Sequence, residues 1–273
     1  MTSGRESRAL EIVVSCIVLG VLGASGCSRA PVQPAPEGAA SNPSAPPTAI
    51  PVAVDASVEV PSAELAANEA PPAPPKDGIY LGRRLAMPMS YQGAPWLERA
   101  DRDETERPEH VLDVLGVRRG MHVADFGAGS GYFTTRIARR VGATGRVYAV
   151  DTQPEMLALL EKKKAREALP IELVLAEPAR PSLPDGSVDL VLMVDVYHEL
   201  ERPDLTLAQL RRVLRPEGRL ALVEYRAEDE ALAIKPEHKM SLRQIRLEMN
   251  AAHYRVLSVD ESLPRQRIVV VGL

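Results

Sequence analysis

From Gly120 onward, apolar runs alternate with segments whose apolar residues recur every three or four positions. The runs His122–Phe126, Arg146–Val150, Ile171–Ala176, Val188–Val194 and Arg219–Glu224 read as strands. Between them, Tyr132–Val141, Pro154–Ala168 and Pro203–Leu214 carry the helical period. Val188-Asp-Leu-Val-Leu-Met-Val194 is nearly all apolar, as a strand buried on both faces of a parallel sheet must be. Pro154 and Pro203 fall near helix starts, where the missing N–H is tolerated. Gly142, Gly145 and Gly218 punctuate helix ends and loops. The alternation predicts a doubly wound α/β domain with its ligand crevice at the carboxyl ends of the strands.

The pattern changes at both ends of this region. Ser241–Ala252 reads as a helix. Tyr254–Val259 and Arg267–Val270 then read as strands joined by a short Leu-Pro turn, with no helix between them. They should pair as an antiparallel hairpin at one end of a mostly parallel, seven-stranded sheet. The segment from Tyr80 to Leu115 reads as helices with a connecting loop, placed to cover one edge of the crevice.

Composition divides the 273 residues into three parts. Residues 1–11 are polar with Arg5 and Arg8, and residues 12–25 form an apolar run too short to span a bilayer comfortably. A charged start, a short apolar core and small residues are the layout of a secretory signal. Ala24-Ser25-Gly26-Cys27 resembles a bacterial lipobox, which implies lipidation of Cys27 and a membrane tether. An unmodified Cys27 behind an ordinary signal, or behind an uncleaved anchor, is the alternative. Residues 28–76 hold much of the chain's proline, with Ala, Ser and Val and no sustained period. Such a segment buries too little apolar surface to fold and reads as an extended linker. A globular domain is expected over 77–273. It contains no cysteine, which excludes an internal disulfide, a thiol nucleophile and a thiolate metal site there. The net charge of -4 offers no basic field for nucleic acid. Lys162-Lys163-Lys164 and Arg211-Arg212 lie in helical patterns and read as solvated faces.

Candidate chemistry centres on Val123-Ala-Asp-Phe-Gly-Ala-Gly-Ser-Gly131. A strand that feeds a glycine turn and then a helix lets a ligand approach the backbone closely. A dinucleotide turn wants G-x-G-x-x-G, but the glycines fall at 127, 129 and 131, and Tyr132 stands where the third is needed. Asp151 ends the second strand, where an acidic residue commonly accepts hydrogen bonds from ribose hydroxyls. A helix-capping role toward Pro154 is equally open to it. Glu177 follows the third strand, and Pro184-Asp-Gly-Ser187 reads as a plain turn.

Asp-x-Gly-x-Gly-x-Gly over 125–131 resembles the first motif of class I methyltransferases, and the resemblance extends over roughly residues 115–273. Gly93-Ala-Pro-Trp-Leu-Glu-Arg99, Val194-Asp-Val-Tyr-His-Glu-Leu200, Glu224-Tyr-Arg226 and His238-Lys-Met240 are similar to segments of one bacterial branch of that family. The resemblance implies S-adenosylmethionine as cofactor. It implies that Asp125 and the amides of Gly127, Gly129 and Gly131 hold the cofactor's amino acid end, that Asp151 holds its ribose and that Glu177 meets its adenine. It also implies methyl transfer and goes no further than that reaction class; a small-molecule acceptor is expected before a protein.

Asp195, Tyr197, His198 and Glu199 leave the fourth strand where a transferred methyl group would emerge. Asp195 is a candidate on both sides, for cofactor and for chemistry. His198 is the candidate general base, since an unperturbed imidazole titrates near about 6.5; packing over the cofactor is the competing role. Arg226 is placed to bind an anionic substrate or to pair with Glu228 or Asp229, and His238 and Lys239 to reach the crevice from a loop. Tyr91 and Trp96 are lid candidates. His198, Asp195 and His238 could be grouped as metal ligands, but no short His/Asp/Glu spacing supports this, and no metal is expected.

Two other functions compete: an NAD(P)-dependent reductase, against which the glycine spacing speaks, and a membrane-tethered binding module that has the fold without turnover. The signal places the domain outside the cytoplasmic membrane, facing the periplasm or cell exterior, whereas S-adenosylmethionine is a cytoplasmic metabolite. An uncleaved anchor with the domain inside would remove that conflict. Lipidation is expected to carry the full chain into the detergent phase of a Triton X-114 partition. Cys27→Ala should return it to the aqueous phase, and unchanged partitioning would exclude the modification.

Overall fold

The computed structural model describes residues 73–177 and 179–273. The expected signal over 1–27, Cys27 and all but residues 73–76 of the 28–76 linker lie outside the described residues. Among the described residues, no helix is long and apolar enough to cross a membrane.

In chain order, a small hairpin pairs β1 (Ile79–Tyr80) with β2 (Arg83–Arg84). A 3-10 turn at Tyr91–Gly93 follows, then α1 (Ala94–Leu97), α2 (Arg102–Glu106) and α3 (Pro108–Val114). The alternating region contains β3 (His122–Phe126), α4 (Tyr132–Val141), β4 (Arg146–Asp151), α5 (Pro154–Glu167), β5 (Ile171–Leu175) and β6 (Val188–Val194). A 3-10 turn at Tyr197–Glu199 leads to α6 (Pro203–Val213) and β7 (Leu214–Tyr225). A third 3-10 turn, Pro236–His238, precedes α7 (Leu242–Ala251), β8 (Arg255–Asp260) and β9 (Gln266–Gly272).

The seven-stranded sheet runs β5-β4-β3-β6-β7-β9-β8. Its first five strands are mutually parallel, and β9 pairs antiparallel with both β7 and β8. The chain winds outward from β3 to β4 and β5, then crosses back to β6 on the other side. That reversal opens a crevice at the carboxyl ends of β3 and β6. The period of two divides the strand residues between two cores. Val123, Leu190 and Val223 face Leu112, Phe133 and Ile137 of α3 and α4. Ala124, Val191 and Leu222 face Leu207 and Leu210 of α6 and Ile245 and Met249 of α7.

Two elements differ from the sequence expectation. The segment before the sheet contains a hairpin as well as helices; its two-residue strands are too short to show a period. β7 begins at Leu214 rather than Arg219, and Gly218 lies within it rather than in a loop. Leu214 pairs with Val188 and Arg219 with Leu190, so Arg215 to Gly218 bulge between two paired positions. A Cβ on Gly218 would lie 2.8 Å from the Arg215 carbonyl oxygen, which is why glycine stands there.

The early hairpin is fastened by one fully buried carboxylate, Glu248 of α7. Arg83 donates to it through Nε at 2.8 Å and Nη2 at 2.9 Å, the Tyr197 hydroxyl at 2.7 Å and Gln244 Nε2 at 2.8 Å. Arg83 Nη1 also donates to the His198 carbonyl oxygen at 3.0 Å, so the hairpin holds the segment after β6 as well. Glu248→Ala would leave a buried guanidinium and a buried phenol without their acceptor. It is expected to cost about 3–5 kcal/mol in urea unfolding. Exposed Glu161→Ala serves as control, expected within about 0.5 kcal/mol of the parent.

Candidate active site

At the end of β3 the chain turns through Gly127, at φ +78°, and starts α4 after Gly131, at φ +84°. A Cβ on Gly127 would lie 2.4 Å from Val196 Cγ2, and one on Gly131 would lie 2.2 Å from Leu160 Cδ1. Backbone and packing therefore both demand glycine at these two places. The turn's amides are spent on the protein itself. Gly127 and Ala128 donate to the Val150 carbonyl at 2.8 and 3.0 Å, Gly131 to that of Ala128 at 2.9 Å, and Gly129 to Asp151 Oδ2 at 2.8 Å. The expectation that the amides of Gly127, Gly129 and Gly131 grip a ligand is thereby corrected: these glycines shape the cradle.

Asp151 both fixes this turn and faces the cleft. Its Oδ1 accepts from the Gln153 amide at 2.9 Å, while Gln153 precedes α5 without a side-chain cap of its own. Asp151 is thus a turn residue two positions upstream of the helix cap. Burial raises its pKa, against the amides of Gln153 and Gly129 that favour the anion. The Thr152 amide also favours the anion, and since a carboxylate has about four acceptor sites, capacity is left for a ligand hydroxyl.

Asp125 is buried, with Thr134 Oγ1 donating to its Oδ2 at 2.5 Å. Burial lifts its pKa to about 6, and the Thr134 hydrogen bond and the Arg102 charge only partly offset this. Asp195 follows β6 at φ +53°, a left-handed position that Asp tolerates better than most residues. Gln266 Nε2 donates to its Oδ2 at 2.8 Å, while its Oδ1 has no partner among the described residues. Burial, then Glu106 and Glu224, raise its pKa well above the usual carboxylate range. One buried and one half-buried carboxylate thus line one cleft with less positive charge than their ionised forms require.

His198 is 2% exposed. Its Nδ1 lies 2.5 Å from Glu224 Oε2 and its Nε2 lies 3.1 Å from His238 Nδ1. Burial would lower its pKa, but Glu224, Glu199 and Asp195 together outweigh that and raise it to about 10. That shift favours the protonated ring, which speaks against the general-base role expected from the sequence. Tyr197 is corrected as well. It is buried and does not line the cleft, since its hydroxyl goes to Glu248 and its amide to Glu224 Oε1 at 2.9 Å.

These groups meet in a cleft of about 700 Å³, a typical ligand-site volume. Asp125, the 127–130 turn, Asp151, Glu177, Asp195, His198 and Glu199 line it. Glu177 stands exposed on the rim, 3.8 Å from Arg180. Of the two lid candidates, Trp96 lines the cleft with Arg99 stacked 3.8 Å from its ring centre, and Tyr91 does not. Arg226 is occupied elsewhere. It donates to the carbonyls of Leu263, Pro264 and Gln266 and braces the β8–β9 turn, while Glu228 pairs with Arg267. Lys239 donates to the Asp229 carbonyl at 3.1 Å. Two contributors were missed in the sequence, Arg102 and Glu106, a buried i,i+4 pair joined at 2.7 Å. The i,i+4 spacing was a visible signal, but it occurs on many solvated helices.

The methyltransferase-domain family profile matches residues 124–222 of the chain. The crystal structure of an S-adenosylmethionine-dependent methyltransferase from Aquifex aeolicus superposes with a TM-score of 0.64 at 31% identity, over 67% of this chain and 98% of that one. An uncharacterized methyltransferase of Mycobacterium tuberculosis is 39% identical over 55% of this chain and 57% of its own length. A ubiquinone/menaquinone biosynthesis C-methyltransferase of Laribacter hongkongensis is 31% identical over 42% of this chain and 47% of its own. The chain spans about half the length of these curated relatives. If Asp151 holds the glycine turn, Asp151→Ala leaves two amides without their acceptor. It should cost about 2–4 kcal/mol in urea unfolding and abolish slow hydrogen exchange at the Gly129 amide.

Proposed function

The chain belongs to the class I S-adenosylmethionine-dependent methyltransferases, and on that premise we propose that it transfers a methyl group from S-adenosylmethionine to a small-molecule acceptor bound in the cleft. The observation that carries this is the cluster of buried carboxylates around the glycine cradle. Asp125 is buried, and Asp195 is half-buried with its Oδ1 shielded and without a partner among the described residues. A ligand that brings an ammonium and a sulfonium supplies the positive charge such a site lacks. Asp151 keeps acceptor capacity for ribose hydroxyls, Gly127 and Gly131 let the turn pack tightly against Val196 and Leu160, and Glu177 stands on the rim for an adenine amino group.

The bound cofactor supplies a methyl group already activated by its sulfonium. What the protein adds is position and charge. Asp125 and Asp151 orient the cofactor, and Asp195 lines the same cleft as His198. His198, held by Glu224 and set beside His238, lines the cleft wall on the acceptor side. Trp96, Leu97, Ile234 and His238 also line this cleft of about 700 Å³, a volume that suits a small molecule.

Calorimetry on the full chain tests the cofactor assignment, with S-adenosylhomocysteine and NAD as ligands. The adenosyl compound should bind at one per chain and NAD should not; absence of adenosyl binding would overturn the proposal. A folded-state pKa raised to about 6 means that Asp125 is neutral below that pH and ionised above it. Affinity should therefore hold from pH 8 down to about 6 and then fall by up to about tenfold per unit. Asp125→Asn should bind more weakly at pH 7 and lose most of this dependence.

A further inference from the structure

His198, Glu199 and His238 bring three donor atoms to one point of the cleft wall. His198 Nε2 and His238 Nδ1 are 3.1 Å apart, and Glu199 Oε1 lies 3.7 Å from the first and 3.5 Å from the second. A triangle with those sides has a centre about 2.0 Å from each corner, which is the bond length of Zn²⁺ to imidazole nitrogen and to carboxylate oxygen. A first-row divalent ion therefore fits among the three atoms without displacing any of them. From this geometry we propose that His198, Glu199 and His238 form a binding site for a divalent transition-metal ion, with an open coordination position toward the cleft.

Three further observations support the site. Glu224 Oε2 lies 2.5 Å from His198 Nδ1, the outer-shell carboxylate that commonly orients a metal-bound histidine. The two imidazole rings are steeply inclined, at 79° and 5.0 Å between centres, and their facing nitrogens lie 3.1 Å apart. All three residues line the cleft, so the open position faces the space available to an acceptor. Two histidines and one carboxylate with a vacant position make a donor set of the kind found in catalytic zinc sites, and imidazole selects for Zn, Fe, Co or Ni over Mg or Ca. An acceptor oxygen bound there would be held toward the reacting end of the cleft and would lose its proton to solvent more readily. The metal site itself does not depend on the cofactor assignment, since its three ligands are distinct from Asp125 and Asp151.

The test uses the full chain, purified without a histidine tag and stripped with EDTA. Zn²⁺ and Co²⁺ are titrated by calorimetry, and Co²⁺ binding is followed by its visible d–d absorption. One ion per chain is expected, with affinity falling at least about tenfold in both His238→Ala and Glu199→Gln, and with Co²⁺ bands that Zn²⁺ abolishes. His238 and Glu199 are only partly buried, and circular dichroism with thermal unfolding confirms that each variant is folded. Absence of saturable binding, or equal affinity in the parent and both variants, would overturn the site. S-adenosylhomocysteine binding is measured on the same samples, so loss of metal and loss of cofactor are read separately.

Discussion

Glu224 is the group on which the site depends. It is completely buried at the end of β7, and its two oxygens hold successive residues of the turn after β6. One accepts the Tyr197 amide and the other meets His198 Nδ1. A buried carboxylate cannot be left unpaired without a large desolvation cost, so these contacts fix the turn's direction. Once His198 is held by Nδ1, its Nε2 must face His238 and the cleft. Once the Tyr197 backbone is held, its phenol points the other way, onto Glu248. Glu248 in turn holds Arg83 and the early hairpin, and Arg83 returns to the His198 carbonyl. One closed polar circuit links the amino-terminal hairpin, α7 and the wall of the crevice.

The crevice carries an excess of buried negative charge for the same reason that it can bind anything cationic. Asp125, Asp195 and Glu224 stand at the ends of neighbouring strands, where the sheet topology opens a gap but the surrounding helices keep water out. Arg102, Thr134 and Gln266 partly answer these carboxylates. Burial raises the pKa of Asp125 and Asp195, and the neighbouring carboxylates raise that of His198. A cationic ligand would supply the charge these carboxylates lack.

Much of the architecture was legible in the sequence. The alternating runs located every strand of the sheet, and the absence of a helical segment between Tyr254 and Val270 identified the antiparallel pair. The glycine spacing and Tyr132 separated this turn from a dinucleotide turn, and the cradle's packing against Val196 and Leu160 shows why only glycine serves at Gly127 and Gly131. The bulge at Gly218 was missed because its apolar pattern is interrupted by Arg215, Pro216 and Glu217, which locally look like loop. Glu248 was missed although it sits among Ile245, Met249 and Ala252 on one helical face; an acidic residue in an apolar stripe marks a buried partner without naming it.

By itself the sequence determined the periods of its elements, the places where only glycine fits and the acidic residues at the strand ends. These are local properties, set by backbone sterics and by which face of each element must leave water. The tertiary structure decided which of those groups meet. His198 and His238 are 40 residues apart and share no spacing rule, yet the turn before α7 brings their nitrogens to 3.1 Å. Tyr197, adjacent to His198 in the chain, is sent to the opposite side of the same wall. Partner choice, and with it protonation and the donor set, depends on distances through space between segments that the chain order does not relate.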